Sequence, residues 1–224
     1  MNGRKARQLA FDLSYRPALG REDFLVTPCN ADAVAWIDRW PDWPAPALVL
    51  AGPAGGGKTH LAAVWRAISG ARAAGGDETD PARAGGGPWL VDDADTAIAE
   101  DALLRLYNVT AEAGASLLLV AREPPARWGL KLPDLASRLR AAPVAAIRDP
   151  DETAIAAVLV KLFADRQSAV DPDVIAYLLP RMERSFAAAR DLVARLDRAA
   201  LASRRRVTVP IARDVLAETR GDST

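Results

Sequence analysis

Gly52-Pro53-Ala54-Gly55-Gly56-Gly57-Lys58-Thr59 satisfies the pattern G-x-x-x-x-G-K-[ST]. Glycines in such a run let successive backbone N–H groups turn inward onto phosphate oxygens, and a helix beginning at its end points a positive pole at the same charge. Lys58 stands where an ammonium reaches terminal phosphates, and Thr59 where a hydroxyl meets magnesium. The chemistry this predicts is capture of a nucleotide polyphosphate with its Mg2+.

Asp92 and Asp93 follow the short apolar stretch Trp89 to Val91, so they emerge at the carboxyl end of a strand, where open α/β sheets place ligands. Asp92 is expected to hold magnesium, and Asp93 to orient or deprotonate a water for attack on the terminal phosphate. Arg138 is the candidate arginine finger, although by sequence alone a surface salt-bridging arginine reads the same way. His60 abuts the glycine run, where a lone histidine usually packs against the sheet. Arg204-Arg205-Arg206 reads as a solvated turn.

These residues need a strand, a turn and a helix behind them. Ala47 to Ala51 is a short apolar strand running into the glycine turn, and Leu61, Val64, Trp65 and Ile68 then recur at helical spacing up to Gly70. Before it, Asn30 reads as an N-cap for a helix carrying Ala33, Val34, Ile37 and Trp40, stopped by Pro41. Residues 71 to 88 are rich in Ala, Gly, Arg and Asp and read as a loop with little regular structure. Strands follow at Trp89 to Val91, Leu117 to Ala121 and Pro143 to Ile147, with helices over Leu103 to Val109 and Leu132 to Arg140. The alternation predicts an α/β fold, a parallel sheet with helices on both faces. From Asp149 onward the pattern is helical, over Glu152 to Ala164, Asp173 to Leu179, Phe186 to Ser203 and Ile211 to Thr219, with Val207 to Val209 the one strand candidate.

Composition narrows the function classes. Lys plus Arg (29) equals Asp plus Glu (29), so there is no excess positive field for a long nucleic-acid track. One cysteine, Cys29, and one histidine exclude a disulfide framework, a structural zinc site and a Ser/His/Asp triad; Cys29 reads as a small buried residue. No apolar run approaches the roughly 20 residues of a membrane span, and the start lacks a signal-peptide core, so a cytoplasmic protein with no membrane partner is expected.

With these residues in place, the chain resembles the AAA+ family of the bacterial replication initiator DnaA, and more closely its short Hda-type regulatory branch, including the alphaproteobacterial form. The likeness rests on Asn30-Ala31-Asp32-Ala33, Gly57-Lys58-Thr59-His60-Leu61, Asp92-Asp93, Leu106-Tyr107-Asn108, Pro124-Pro125, Leu132-Pro133-Asp134-Leu135-Ala136-Ser137-Arg138-Leu139, Leu196-Asp197-Arg198-Ala199 and Arg206-Val207-Thr208-Val209-Pro210. It implies a mobile tail over residues 1–20, an AAA+ nucleotide-binding domain over 21–148 and a small helical lid over 149–224. The chain also stops where DnaA would continue into a DNA-binding domain. In the tail, Gln8, Leu9, Phe11 and Leu13 lie in a segment similar to the hexapeptide by which such proteins dock on the DNA sliding clamp.

What the resemblance implies is regulatory inactivation of the initiator. Adenine nucleotide, ATP or ADP, sits in the phosphate loop with His60 beside it; DNA is met indirectly through the clamp; and Arg138 approaches the nucleotide of a DnaA partner, with self-association left open. Two departures stand out. Val120-Ala121-Arg122-Glu123 replaces the family's acidic sensor with Arg122, and an ungapped reading of Arg184-Ser185-Phe186-Ala187 puts Ala187 at the second sensor arginine, for which Arg184 or Arg190 could substitute. Both weaken the case for efficient hydrolysis by the chain itself. The competing readings are a self-contained ATPase or helicase loader, and a non-catalytic nucleotide-dependent adaptor for the initiator.

Overall fold

The computed structural model describes residues 25–74, 86–203 and 205–221. Gln8, Leu9, Phe11 and Leu13, the tail that carries them, and Arg204 lie outside the described residues.

In chain order the elements are α1 (Ala31–Asp38), β1 (Ala47–Ala51), α2 (Lys58–Ser69), β2 (Arg72–Ala74), β3 (Trp89–Val91), α3 (Glu100–Glu112), β4 (Leu117–Ala121), α4 (Pro133–Ala141) and β5 (Val144–Ala146). Four further helices follow, α5 (Glu152–Asp165), α6 (Pro172–Leu178), α7 (Phe186–Ser203) and α8 (Val209–Gly221), with short 3-10 turns at Pro125–Arg127 and Leu179–Arg181. The five strands form one parallel sheet in the order β2-β3-β4-β1-β5.

Period-2 alternation divides the central strands between two cores. Leu48 and Leu50 of β1 and Leu118 and Val120 of β4 pack against Val34 and Ile37 of α1 and Leu61 and Trp65 of α2. Ala47, Val49, Leu117 and Leu119 face the other way, onto Leu103 and Leu106 of α3 and Leu135 and Leu139 of α4. Covered on both faces, β1 and β4 are buried at every position, which is why they read as continuous apolar runs. A third core belongs to the C-terminal helices: Ile155, Leu159, Phe163, Leu178, Val193, Leu196 and Ala212 close on each other. Cys29 joins this third core, and burial pushes its thiol up. Among the described residues no helix is long and apolar enough to cross a membrane.

Three local expectations are corrected. The stretch expected to be loop from 71 contains β2, a three-residue strand paired in register with β3, Arg72 opposite Trp89. Alanine and arginine carry little strand propensity, so the pairing is made by tertiary context, including the Arg72 guanidinium 4.4 Å from the Trp89 ring centre. Val207 to Val209 is not a strand: Val207 is buried in the helical core and Val209 already opens α8, with Pro210 tolerated in its first turn. Asn30 stands at the start of α1 but makes no cap bond to it. Its Oδ1 accepts from the Thr27 N–H at 2.8 Å, and its Nδ2 donates to the Leu25 carbonyl at 3.0 Å.

A cap bond does exist at α5, where the Asp151 carboxylate accepts the Ala154 N–H at 2.7 Å. Asp151→Ala is expected to cost about 1 kcal/mol of stability. Chemical denaturation checks this, and an unchanged midpoint would contradict it.

Candidate functional site

β1 delivers the chain to Gly52 at the carboxyl end of the sheet, and α2 begins six residues later at Lys58. Glycine is required at Gly52 by contact: a Cβ there would stand 2.5 Å from the Ile147 carbonyl oxygen. At Gly55 and Gly57 it is required by conformation, with φ of +71° and +97°. The turn therefore closes tightly enough for Gly56 N–H to donate to the Pro53 carbonyl at 3.2 Å, while Pro53 and Ala54 cover its outer arc.

Lys58 folds back over this turn. Its ammonium donates to the Gly52 carbonyl at 2.7 Å and the Pro53 carbonyl at 2.8 Å, and the residue is only 9% exposed. Burial holds its pKa below the ordinary 10.5, the charge of Arg122 pushes the same way, and Asp92, Asp93 and Asp95 oppose both. A buried ammonium that, among the described residues, is satisfied by carbonyls and bonded to no acid is an arrangement that an arriving polyphosphate improves.

Asp92 and Asp93 are exposed at the end of β3, and Asp93 adopts a left-handed backbone, φ +48°, with its N–H donating to the Asp92 carboxylate at 3.0 Å. Thr59 is exposed in the first turn of α2. Among the described residues no group of three or more His, Cys, Asp or Glu side chains could hold a metal unaided. Thr59 and Asp92 suit magnesium all the same, because that ion takes one or two protein oxygens and completes its shell with phosphate and water.

Beside the glycine turn, a cavity of about 230 Å³ opens between the sheet and the C-terminal helices. Gly57, His60 and Asn30 form one side, Val158, Leu162 and Phe186 the other, with Leu25, Lys161, Asp165 and Arg190 completing the wall. An apolar slot next to a phosphate turn fits a flat base, and its polar rim fits a sugar. Of the two candidate substitutes for a sensor arginine, Arg190 faces this cavity, whereas Arg184 is turned to Glu152 at 3.6 Å. Ala187 packs close to the glycine turn, its Cβ 3.0 Å from where a Gly55 Cβ would sit.

Arg138 is not brought to this cluster. It lies on α4, where Nε donates to Asp134 at 2.9 Å and the guanidinium stands 5.5 Å from the Tyr107 ring centre. The start of α4 is held by Glu100 of α3, whose carboxylate accepts the N–H of Leu132 at 2.8 Å and of Lys131 at 3.0 Å; those bonds keep its pKa below the usual carboxylate range.

Sequence reasoning missed Asp95, whose carboxylate accepts the Arg122 N–H at 3.1 Å. The third acid in Asp92-Asp93-Ala94-Asp95 was the available signal. It also missed Val158, Leu162 and Phe186, for which no local signal exists, since helical packing explains each of them as well.

Residues 151–216 match the Hda lid-domain family. Among solved structures, domain III of the Thermotoga maritima replication initiation protein DnaA superposes with a TM-score of 0.74 at 17% identity, over 91% of this chain and 97% of that one. AMPPCP-bound DnaA from Aquifex aeolicus superposes at 0.64 with 17% identity, over 83% of this chain and 66% of that one. The Thermotoga maritima RuvB Holliday junction branch migration motor follows at 0.62 with 16% identity, over 77% of this chain and 61% of that one. At such identities the superpositions establish the fold alone. The chain thus has the fold of DnaA domain III, a parallel-sheet domain followed by small helices, and its residues 151–216 form an Hda-type lid.

Proposed function

We propose that this protein regulates chromosomal replication initiation by binding adenine nucleotide, docking on the DNA sliding clamp and promoting hydrolysis of ATP held by the initiator DnaA. The observation that carries the reading is the union, in one chain, of an Hda-type lid with a phosphate turn whose lysine is buried and donates to two backbone carbonyls of the turn. The initiator is the natural partner because the solved DnaA domain has this fold.

In this reading the domains divide as tail 1–20, nucleotide-binding domain 21–148 and lid 149–224. Lys58 and the amides of residues 52–59 hold phosphates, Thr59 and Asp92 hold magnesium, and His60 and Arg190 flank the base and sugar. Bound nucleotide supplies a charged bridge between sheet and lid. Its main role is to set the shape of the partner-facing surface, while Asp93 is placed to orient water in slow turnover by the chain itself. Arg138 acts in trans, and Gln8, Leu9, Phe11 and Leu13 tether the protein to the clamp.

The test is reconstitution of DnaA loaded with labelled ATP, the clamp loaded on DNA, and this protein, with conversion to ADP followed over time. Acceleration is expected only when all three are present. Deletion of residues 8–13 is expected to remove clamp binding in a pull-down and to return conversion to the rate of DnaA alone. Unchanged clamp binding would refute the tether, and no acceleration by the intact protein would refute the function.

A further inference from the structure

Asn30 stands at the start of α1, yet its side chain makes no bond to that helix. The residue is 1% exposed, and its amide works backwards along the chain. Oδ1 accepts the Thr27 N–H at 2.8 Å and Nδ2 donates to the Leu25 carbonyl at 3.0 Å, so one planar group braces the backbone from Leu25 to Thr27. One partner is a donor and the other an acceptor, which fixes the way the amide faces. Asparagine suits this place by its chemistry: aspartate lacks the donor for Leu25, and serine lacks the second arm.

The turn beneath this brace has other bonds of its own. The Thr27 carbonyl accepts the N–H of Asn30 at 3.0 Å and of Ala31 at 2.9 Å, and the Cys29 carbonyl accepts the Arg148 N–H at 2.9 Å, which fastens the turn to the residues after β5. The Cys29 side chain is buried in the core of the C-terminal helices. Leu25 differs, because the bond from Asn30 Nδ2 is the one hydrogen bond it makes among the described residues. Leu25 and Asn30 stand together in the wall of the 230 Å³ cavity, with Val158, Leu162 and Phe186. A slot for a flat base needs its apolar walls at a fixed separation, and a wall set before the ligand arrives spares the cost of ordering it on binding. The phosphate turn has separate supports, since Gly56 and Lys58 bond within it.

We infer that Asn30 is the positioning residue of the base slot: its amide holds Leu25 in the cavity wall, and through Leu25 it sets the affinity for the base while leaving phosphate capture alone. The inference rests on the nucleotide-binding reading above and divides that site into a base half and a phosphate half with separate supports.

Asn30→Ser in the full-length protein removes the brace and keeps a neutral residue suited to the start of a helix. Calorimetric titration with ADP and with inorganic pyrophosphate, magnesium present, reads the two halves apart. The variant is expected to bind ADP about tenfold more weakly and pyrophosphate within about twofold of the wild type. Leu25→Ala is expected to give the same pattern. Because Asn30 acts through Leu25, the double variant is expected to lose little more than either single change, a non-additivity that general loosening of the fold would not produce. Additive losses, an unchanged affinity for ADP, or equal weakening of ADP and pyrophosphate overturns the assignment of Asn30 while leaving nucleotide binding intact. Wild-type protein that binds neither probe overturns both.

Discussion

Arg138→Ala is expected to abolish stimulation of DnaA-bound ATP hydrolysis, by about 10³-fold, while leaving the variant's own affinity for nucleotide and clamp unchanged. An arginine supplied in trans stabilises charge that spreads over the transferring phosphoryl group, and its absence is felt only in the transition state. The structure supplies the conditions such a residue needs. Arg138 is 39% exposed, and its partner Asp134 is more exposed still, so their ion pair is screened by water and easily exchanged for phosphate. Asp134 and the Tyr107 ring keep the guanidinium charged and extended along one face of α4, and Glu100 anchors the first turn of that helix.

Arg138→Lys is expected to recover little, because a point charge lacks the fork that engages two phosphate oxygens at once. Single-turnover hydrolysis on clamp-loaded DNA reads the effect. Stimulation by Arg138→Ala equal to that of the wild type would assign the protein to recruitment of the initiator and not to its hydrolysis.

The second large effect belongs to Lys58. Lys58→Ala is expected to weaken ATP and ADP alike by about 100-fold, since it removes charge-assisted contacts common to both. Isothermal titration with ATP and with ADP, magnesium present, reads this loss, and unchanged affinity for either nucleotide would contradict it.

The wild-type lysine also makes a pH signature. Its folded-state pKa is depressed below 10.5, so between the two values the unfolded chain holds the proton more firmly, and the stability of the free protein gains from this group as pH rises through that window. Nucleotide affinity moves the opposite way, because the neutral amine no longer attracts phosphate. Bound polyphosphate favours the ammonium and draws the pKa back up, so binding in alkaline buffer is expected to take up protons. Titrations in two buffers of different ionisation heat measure that uptake. Buffer-independent heats in that range, or undiminished binding by Lys58→Ala, would count against the role of Lys58.

Much of the molecule is decided by local chemistry and was legible as such. A strand that must be covered on both faces has no polar positions, which made Ala47–Ala51 and Leu117–Ala121 plain; a glycine run between strand and helix has few other uses than binding an anion. Helices α5 and α7 declared themselves by their spacing. What was not legible depends on residues far apart in the chain. β2 exists because β3 offers it a partner, whereas Val207 has strand-like neighbours but is drawn into a helical core. The cavity wall joins residues from 25 to 190, so no window of sequence contains it. Choosing Arg190 over Arg184 needed the direction in which α7 faces, and the bond from the Arg122 N–H to Asp95 needed the fold that brings the end of β4 against the loop after β3. By itself the sequence determined which groups could bind phosphate; only the tertiary structure decided which charges share that space, because electrostatic influence follows distance through the fold and not along the chain.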